Sequence, residues 1–461
     1  MHAVPTVTAG PAPGRLPATP GLPTAAPTLP TGDPSLCSPG SNLAPLPATL
    51  STLYVSTDHD VVAINAADGT TRWSYDTGAS SYPVATPDGA QVFVAPGPVG
   101  TSSVPISTTV TEVVALGAND GAVHWHAQFA GDANAGAPTL RLLPGGGGLY
   151  VAASDGTVRA LDAATGRQLW IAQIATGPVG VEATLVGGVV YATFVGIPIA
   201  PGPETFAAVR ASDGTVLWHL TYATTALRLL MVANGLVYAA ETETATTLVA
   251  LNAGTGVAQW RVDLGALLSS QSLDGLGSAV AAGTGLYVTA GGEFTSILLA
   301  LNASTGAFCW SDYRINGGAS APVLDGTLLY LSAFCGSPGP PDPGTLCVYA
   351  FDARSGASRW HIQAKGAYGG IGSASLVNGA LYVTDCPAFA LRADSGATIW
   401  SDSESPFFGG MTVNLGEMWV IGATAYAAYR DGTVRALDAA TGAVRWSVTL
   451  SGQLNTLVAG A

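Results

Sequence analysis

Lysine is almost missing from this chain of 461 residues: of 16 basic residues only Lys365 is a lysine, and charged residues of all kinds make up 10%. So little charge argues against long solvated helices. The net charge is −14 with no basic run, which excludes nucleic acid and anionic membrane surfaces as electrostatic partners and suits a soluble monomer kept apart by self-repulsion. Apolar residues reach 48%, yet they come in short runs broken by Gly, Asp and Asn. No stretch is long enough for a transmembrane helix. No CxxC pair, no Gly-x-Ser-x-Gly and no His-Glu-x-x-His segment occurs, so a thiolate zinc site, a nucleophile elbow and a zincin centre are excluded. The Gly-rich runs have no following helix, which removes phosphate binding as well.

What the chain does have is glycine (59) and proline (30). Proline, alanine and threonine dominate residues 1–50, as in PTVTAGPAPGRLPATPGLPTAAPTLPTGDPSLCSPG. That composition buries no core and predicts a disordered linker, followed by one domain over 51–461. The segment lacks the charged and apolar regions of a signal peptide. Linkers of this kind separate exported domains from a signal or anchor, and the expected location is secreted, periplasmic or cell-surface.

Five cysteines are present: Cys37, Cys309, Cys335, Cys347 and Cys386. Cys335 and Cys347 flank a loop between two predicted strands, so a disulfide there is a candidate, with two unpaired thiols as the alternative. Cys37 falls in the linker and is odd by count. Of the six histidines, His124, His126, His219 and His361 adjoin a tryptophan on a predicted outer strand; surface positions are favoured over metal ligation. The cluster Asp58-His59-Asp60 reads as a solvated turn.

The dominant signal is a repeat. Nine segments align without gaps, from VVAINAADGTTRW to VRALDAATGAVRW. They end on Trp73, Trp125, Trp170, Trp218, Trp260, Trp310, Trp360, Trp400 and Trp446. Successive tryptophans lie 40 to 52 residues apart, the period of propeller blades. Glycine stands four before each: Gly69, Gly121, Gly166, Gly214, Gly256, Gly306, Gly356, Gly396 and Gly442. Alanine stands seven and ten before, as at Ala163 and Ala160. Each segment predicts a strand, a tight turn in which Gly supplies positive φ, and a second strand ending on Trp. The small alanines leave room for a large ring, which would wedge between neighbouring sheets.

Upstream of each hairpin lies an apolar segment with an aromatic, at Tyr54, Phe93, Tyr150, Tyr191, Tyr238, Tyr287, Tyr330, Tyr382 and Trp419. One further short apolar run precedes it. Four antiparallel strands per repeat, arranged radially, make an all-β propeller. The chain starts its first unit at the second strand, and LNTLVAGA at the end supplies the missing one, closing the ring and removing its edges. The count is nine blades, with an eight-bladed ring containing one irregular unit as the alternative.

The motif Ala-φ-(Asp/Asn)-Ala-x-(Thr/Asp)-Gly-x-x-x-Trp, over Leu53 to Ala461, resembles that of the pyrroloquinoline quinone (PQQ)-like propeller family. The resemblance implies one of two functions. Non-catalytic members include a lipoprotein of the outer-membrane barrel-assembly machinery and propellers attached to kinases. Quinoprotein dehydrogenases bind PQQ and calcium in the central funnel. The dehydrogenase branch requires a vicinal cysteine pair and a Glu, Asn and Asp calcium set. No two cysteines are adjacent here, and Asp274, Glu182, Asp402 and Glu404 match no motif. The expectation is therefore a non-catalytic binding or scaffolding module for a protein, peptide or glycan, with no cofactor; the alternative is a PQQ- and calcium-dependent dehydrogenase. Loops GASSYP, GALLSSQSLDGLG, AKGAYGGIG and ESPFFGG would meet the partner, with Tyr368, Phe407 and Phe408 as candidate contacts.

Overall fold

Nine copies of a four-stranded meander must either stack or close, and here they close. The computed structural model describes residues 32–41, 43, 50–78, 80–95, 110–130, 140–176, 179–196, 204–222, 227–241, 246–268, 275–291, 295–316, 318–334, 346–364, 374–383, 388–402, 418–429 and 431–460. Nine four-stranded antiparallel sheets are arranged as a propeller, each running from an innermost to an outermost strand in chain order. The first blade is the exception: the C-terminal strand Leu454–Gly460 pairs antiparallel with Thr52–Thr57 and becomes that blade's innermost strand. The ring thus has nine blades, and its seam is made by the two ends of the domain.

The repeat turn is built as its composition predicts. In the third blade the Gly166 N–H donates to the Asp162 carbonyl at 2.8 Å, and the Asp162 carboxylate accepts from both the backbone and the hydroxyl of Thr165. Across the nine repeats this glycine has φ between +68° and +77°, which L-residues adopt only at a cost.

The second reason for glycine lies in the neighbouring blade. A Cβ at any of the nine glycines would come within 2.5 to 2.8 Å of the repeat tryptophan of the preceding blade. That tryptophan also donates its indole N–H to the carbonyl of the alanine seven before the next tryptophan, as in Trp73 to Ala118 and Trp218 to Ala253. All nine bonds are made, at 2.8 to 3.2 Å. The ninth, from Trp446 to Ala66, crosses the seam. Five blades add a tyrosine hydroxyl to the same carbonyl, for example Tyr54 to Ala118 and Tyr426 to Ala66. Burial raises the pKa of these tyrosines, for Tyr238 to about 12, so they stay neutral donors.

Two expectations are corrected. Trp419 is not the second-strand aromatic of the ninth blade. It sits in the innermost strand Trp419–Ile421, and Tyr426 packs against Trp446 instead, with ring centroids 6.1 Å apart. The run MWVIG has the same apolar character as LYVTA, so pattern alone misplaces it by one strand.

Cys37 is the other correction. It is fully buried and disulfide-bonded to Cys309 in the sixth blade, 272 residues away. Around it, residues 32–41 lie as an arm across the sixth and seventh blades. Asp33 N–H donates to the Phe308 carbonyl, Ser38 and Thr284 bond through their backbones and the Thr284 hydroxyl, the Asn302 amide donates to the Leu36 carbonyl, and Ser41 bridges to Asp325. This part of the linker is docked rather than free. Cys347 is also disulfide-bonded; Cys335, its expected partner, lies outside the described residues, as does Cys386.

Candidate functional site

Antiparallel meanders give a propeller two unlike faces. First-to-second and third-to-fourth strand turns share one face, here the turn face, which carries the repeat Gly turns and the docked arm. Second-to-third connections and those between blades share the other, the loop face. The expected contacts Tyr368, Phe407 and Phe408 lie outside the described residues. Tyr82, in the loop GASSYP, is described and is 65% exposed.

The central channel is lined by the innermost strands. Charge enters those strands at three positions only: Arg141 in Leu140–Gly145, Glu182 in Val179–Val186 and Arg228 in Leu227–Ala233, the third, fourth and fifth blades. Register places all three at one level. Leu143, Thr184 and Met231 oppose the second-strand tyrosines Tyr150, Tyr191 and Tyr238. Each charged residue lies two pairs before that point, Arg228 of the fifth blade being counted across a bulge between Leu229 and Met231. Arg228 donates to the Leu276 and Gly277 carbonyls of the next blade. Arg141 and Glu182 line an open cleft of about 470 Å³ with Thr184, Val186, Leu229 and Met231.

The dehydrogenase alternative demands acids that converge. Glu182 is in the fourth blade. Asp402 follows the outermost strand of the eighth and does not face the funnel: its side chain is 3% exposed and bonded to Arg435 of the ninth blade. The Arg435 guanidinium donates to both carboxylate oxygens at 3.0 and 2.8 Å, and the Tyr429 hydroxyl donates to one of them at 3.0 Å. Asp274 and Glu404 lie outside the described residues. Among the described residues no three His, Cys, Asp or Glu side chains form a metal-ligating group, so Glu182 and Asp402 do not fit a shared calcium site.

The histidines are likewise dispersed. His124 meets Gln91, His126 meets Glu112 and His361 stacks on Tyr349. In the Asp58-His59-Asp60 turn the Thr57 hydroxyl accepts the His59 and Asp60 backbone N–H groups.

The Asp402–Arg435 pair has a counterpart in the third blade, where Arg159 pairs with Asp155 and lies 4.7 Å over the Phe129 ring of the second blade. Both arginines stand eleven before the repeat tryptophan, where the other seven repeats carry Val, Ala, Leu, Tyr or Phe. That break in an apolar column was a visible signal of a buried, paired arginine, whose carboxylate lies in the neighbouring blade for Arg435 and in the same blade for Arg159. Asp402→Ala is expected to cost about 3 kcal/mol, because it leaves a largely buried guanidinium without its carboxylate. Urea unfolding checks this; an unchanged midpoint would contradict it.

Fold and site together define a closed, nine-bladed propeller of PQQ-like repeats with a sparsely charged channel. A family model described as outer membrane protein assembly factor BamB matches residues 57–200, 199–337 and 344–461. The chain belongs to that PQQ-like repeat family. BamB of Yersinia pestis is 28% identical over 279 residues, covering 56% of this chain and 65% of that protein. The serine/threonine-protein kinase AfsK of Streptomyces griseus is 34% identical over 128 residues, 26% of this chain and 14% of the kinase. The chain thus spans less than two thirds of either relative. The solved structure of dihydro-heme d1 dehydrogenase NirN superposes with a TM-score of 0.53 at 12% identity, over 94% of this chain and 83% of that one; the likeness is one of fold. Among the described residues no helix is long and apolar enough to cross a membrane.

Proposed function

We propose that the protein is a non-catalytic binding or scaffolding module, working outside the cytoplasm as a monomer, for a protein, peptide or glycan partner. The observation that carries this is the use of the repeat. Its invariant Trp, Gly and first turn Ala are engaged in blade-to-blade contacts, and the Ala ten before Trp pairs with the Trp of its own blade, so recognition falls to the loop-face connections, where the copies differ. The family description, an assembly factor, supports the same reading. Three disulfide-bonded cysteines outside any CxxC motif, Cys37, Cys309 and Cys347, support an oxidising compartment.

Tyr368, Phe407 and Phe408 are the proposed contacts. A photoreactive amino acid placed at each in turn is expected to give cross-linked adducts of discrete mass in cells. Replacing all three by Ala should weaken capture of the same partner roughly tenfold or more, the usual effect of losing aromatic anchors. No discrete adduct at any position, or full capture by the triple variant, would remove this face from consideration.

A further inference from the structure

The channel carries charge where a purely structural lining needs none. Six of the nine innermost strands have no charged residue: LNTLVAG, VA, LGSAVAA, VL, ASLV and WVI. The three that do are consecutive, and their charges alternate around the ring as Arg141, Glu182 and Arg228. Innermost strands run from the loop face inward, and Arg141 and Arg228 are each the second residue of theirs. The arc therefore sits near the loop-face mouth. Tyr82 occupies the corresponding place in the second blade, two residues before Val84, which opposes Phe93.

The two arginines share the sequence Leu-Arg-Leu-Leu but not the same fate. Arg228 is directed at the Leu276 and Gly277 carbonyls. Among the described residues, Arg141 and Glu182 have no hydrogen-bond or ion-pair partner, and both are exposed to the cleft. The rest of the cleft wall there is largely aliphatic: Ala183, Val186, Leu229, Leu230, Met231 and Val232. A volume of about 470 Å³ is of small-ligand size.

We infer that this cleft binds a zwitterion with an apolar body, its carboxylate on Arg141 and its ammonium on Glu182. A simple anion would be repelled by Glu182, and a simple cation by Arg141; a ligand carrying both charges answers both. Arginine offers a carboxylate two parallel N–H donors, and the aliphatic wall takes the side chain. The chemistry is that of an apolar amino acid or of a short apolar peptide with free ends. This deepens the binding-module reading by adding a channel ligand to the loop-face partner, and rests on that reading only for the absence of chemistry on the ligand.

Titration calorimetry on the full chain tests it with three probes: leucine, leucyl-leucine, and N-acetyl-leucyl-leucinamide, which has the same body without the end charges. Saturable binding of a free-ended probe is expected, with the blocked probe at least roughly tenfold weaker. Arg141→Gln and Glu182→Gln should each weaken the free-ended probe by about the same factor. Both positions face open solvent, and thermal melts of the variants verify that they fold. Leucine binding as tightly as the dipeptide assigns a free amino acid; tighter dipeptide binding assigns a peptide. No saturable binding of either free-ended probe up to about 10 mM, or equal affinities for free and blocked dipeptides, overturns the inference. Such a failure leaves the loop-face partner standing, because that is read by cross-linking at other residues.

Discussion

Removing the last eight residues, 454–461, is expected to abolish the folded monomer. The strand Leu454–Gly460 is the innermost member of the first blade and pairs with every residue of Thr52–Thr57. Its Leu454 and Leu457 are buried against Leu53, Val55 and Val434. Losing two buried leucines costs about 5 kcal/mol, before the lost ladder hydrogen bonds are counted. That is comparable to the whole stability of many domains. The truncated chain would also present Thr52–Thr57 as an open, apolar edge at the channel wall, a template for strand pairing between molecules. Size-exclusion chromatography should show aggregates or expanded chains in place of the monomer. A synthetic peptide of residues 451–461, added during refolding, should restore the monomer peak. A truncated protein that stays monomeric and melts like the parent would show that the seam is not needed.

Replacing both Cys37 and Cys309 by Ser should give the second large loss. The bridge closes a loop of 272 residues, and chain-entropy reasoning assigns such a loop on the order of 5 kcal/mol. The arm's hydrogen bonds to Phe308, Thr284 and Asn302 would hold it only weakly once the bridge is gone. The double variant, rather than a reductant, is the clean test, because Cys347 is disulfide-bonded too. Urea unfolding should move to a lower midpoint with a somewhat steeper slope, since the unbridged denatured chain is more expanded and exposes more surface. Limited proteolysis should cut near residues 32–41 in the variant and not in the parent. If neither the midpoint nor the cleavage pattern changed, the bridge would be decoration rather than staple.

The blades were legible because their determinants are local and repeated nine times. Turn glycine, spacer alanine and wedge tryptophan each fall in fixed register within one repeat. The indole bond to the next blade's Ala carbonyl was not legible, because a backbone acceptor leaves no mark on residue type. Trp419 was misplaced for the opposite reason: two strands of similar apolar character are interchangeable to a pattern. The Cys37–Cys309 pairing depends on where a linker crosses the ring, which no spacing encodes. Arg159 and Arg435 did leave a signal, as charged exceptions in an apolar column, and so did Arg141 and Arg228 in a repeated Leu-Arg-Leu-Leu. What the sequence withheld was that Arg141 and Glu182 share a level of the channel, since this follows from the strand register and its bulge.

The docked arm also decides how the molecule carries load. Tension applied through residues before Cys37 does not reach the first strand, Thr52–Thr57. It passes through a covalent bond into Cys309, in the sixth blade, and from there spreads into the ring through the indole bonds on either side. The seam, held by hydrogen bonds and two leucines, stays slack while the sixth blade takes the strain. A tether joined directly to the first strand would pull on the one blade that the chain ends must hold shut. Moving the point of attachment to a blade without a seam lets the propeller be tugged without being unzipped.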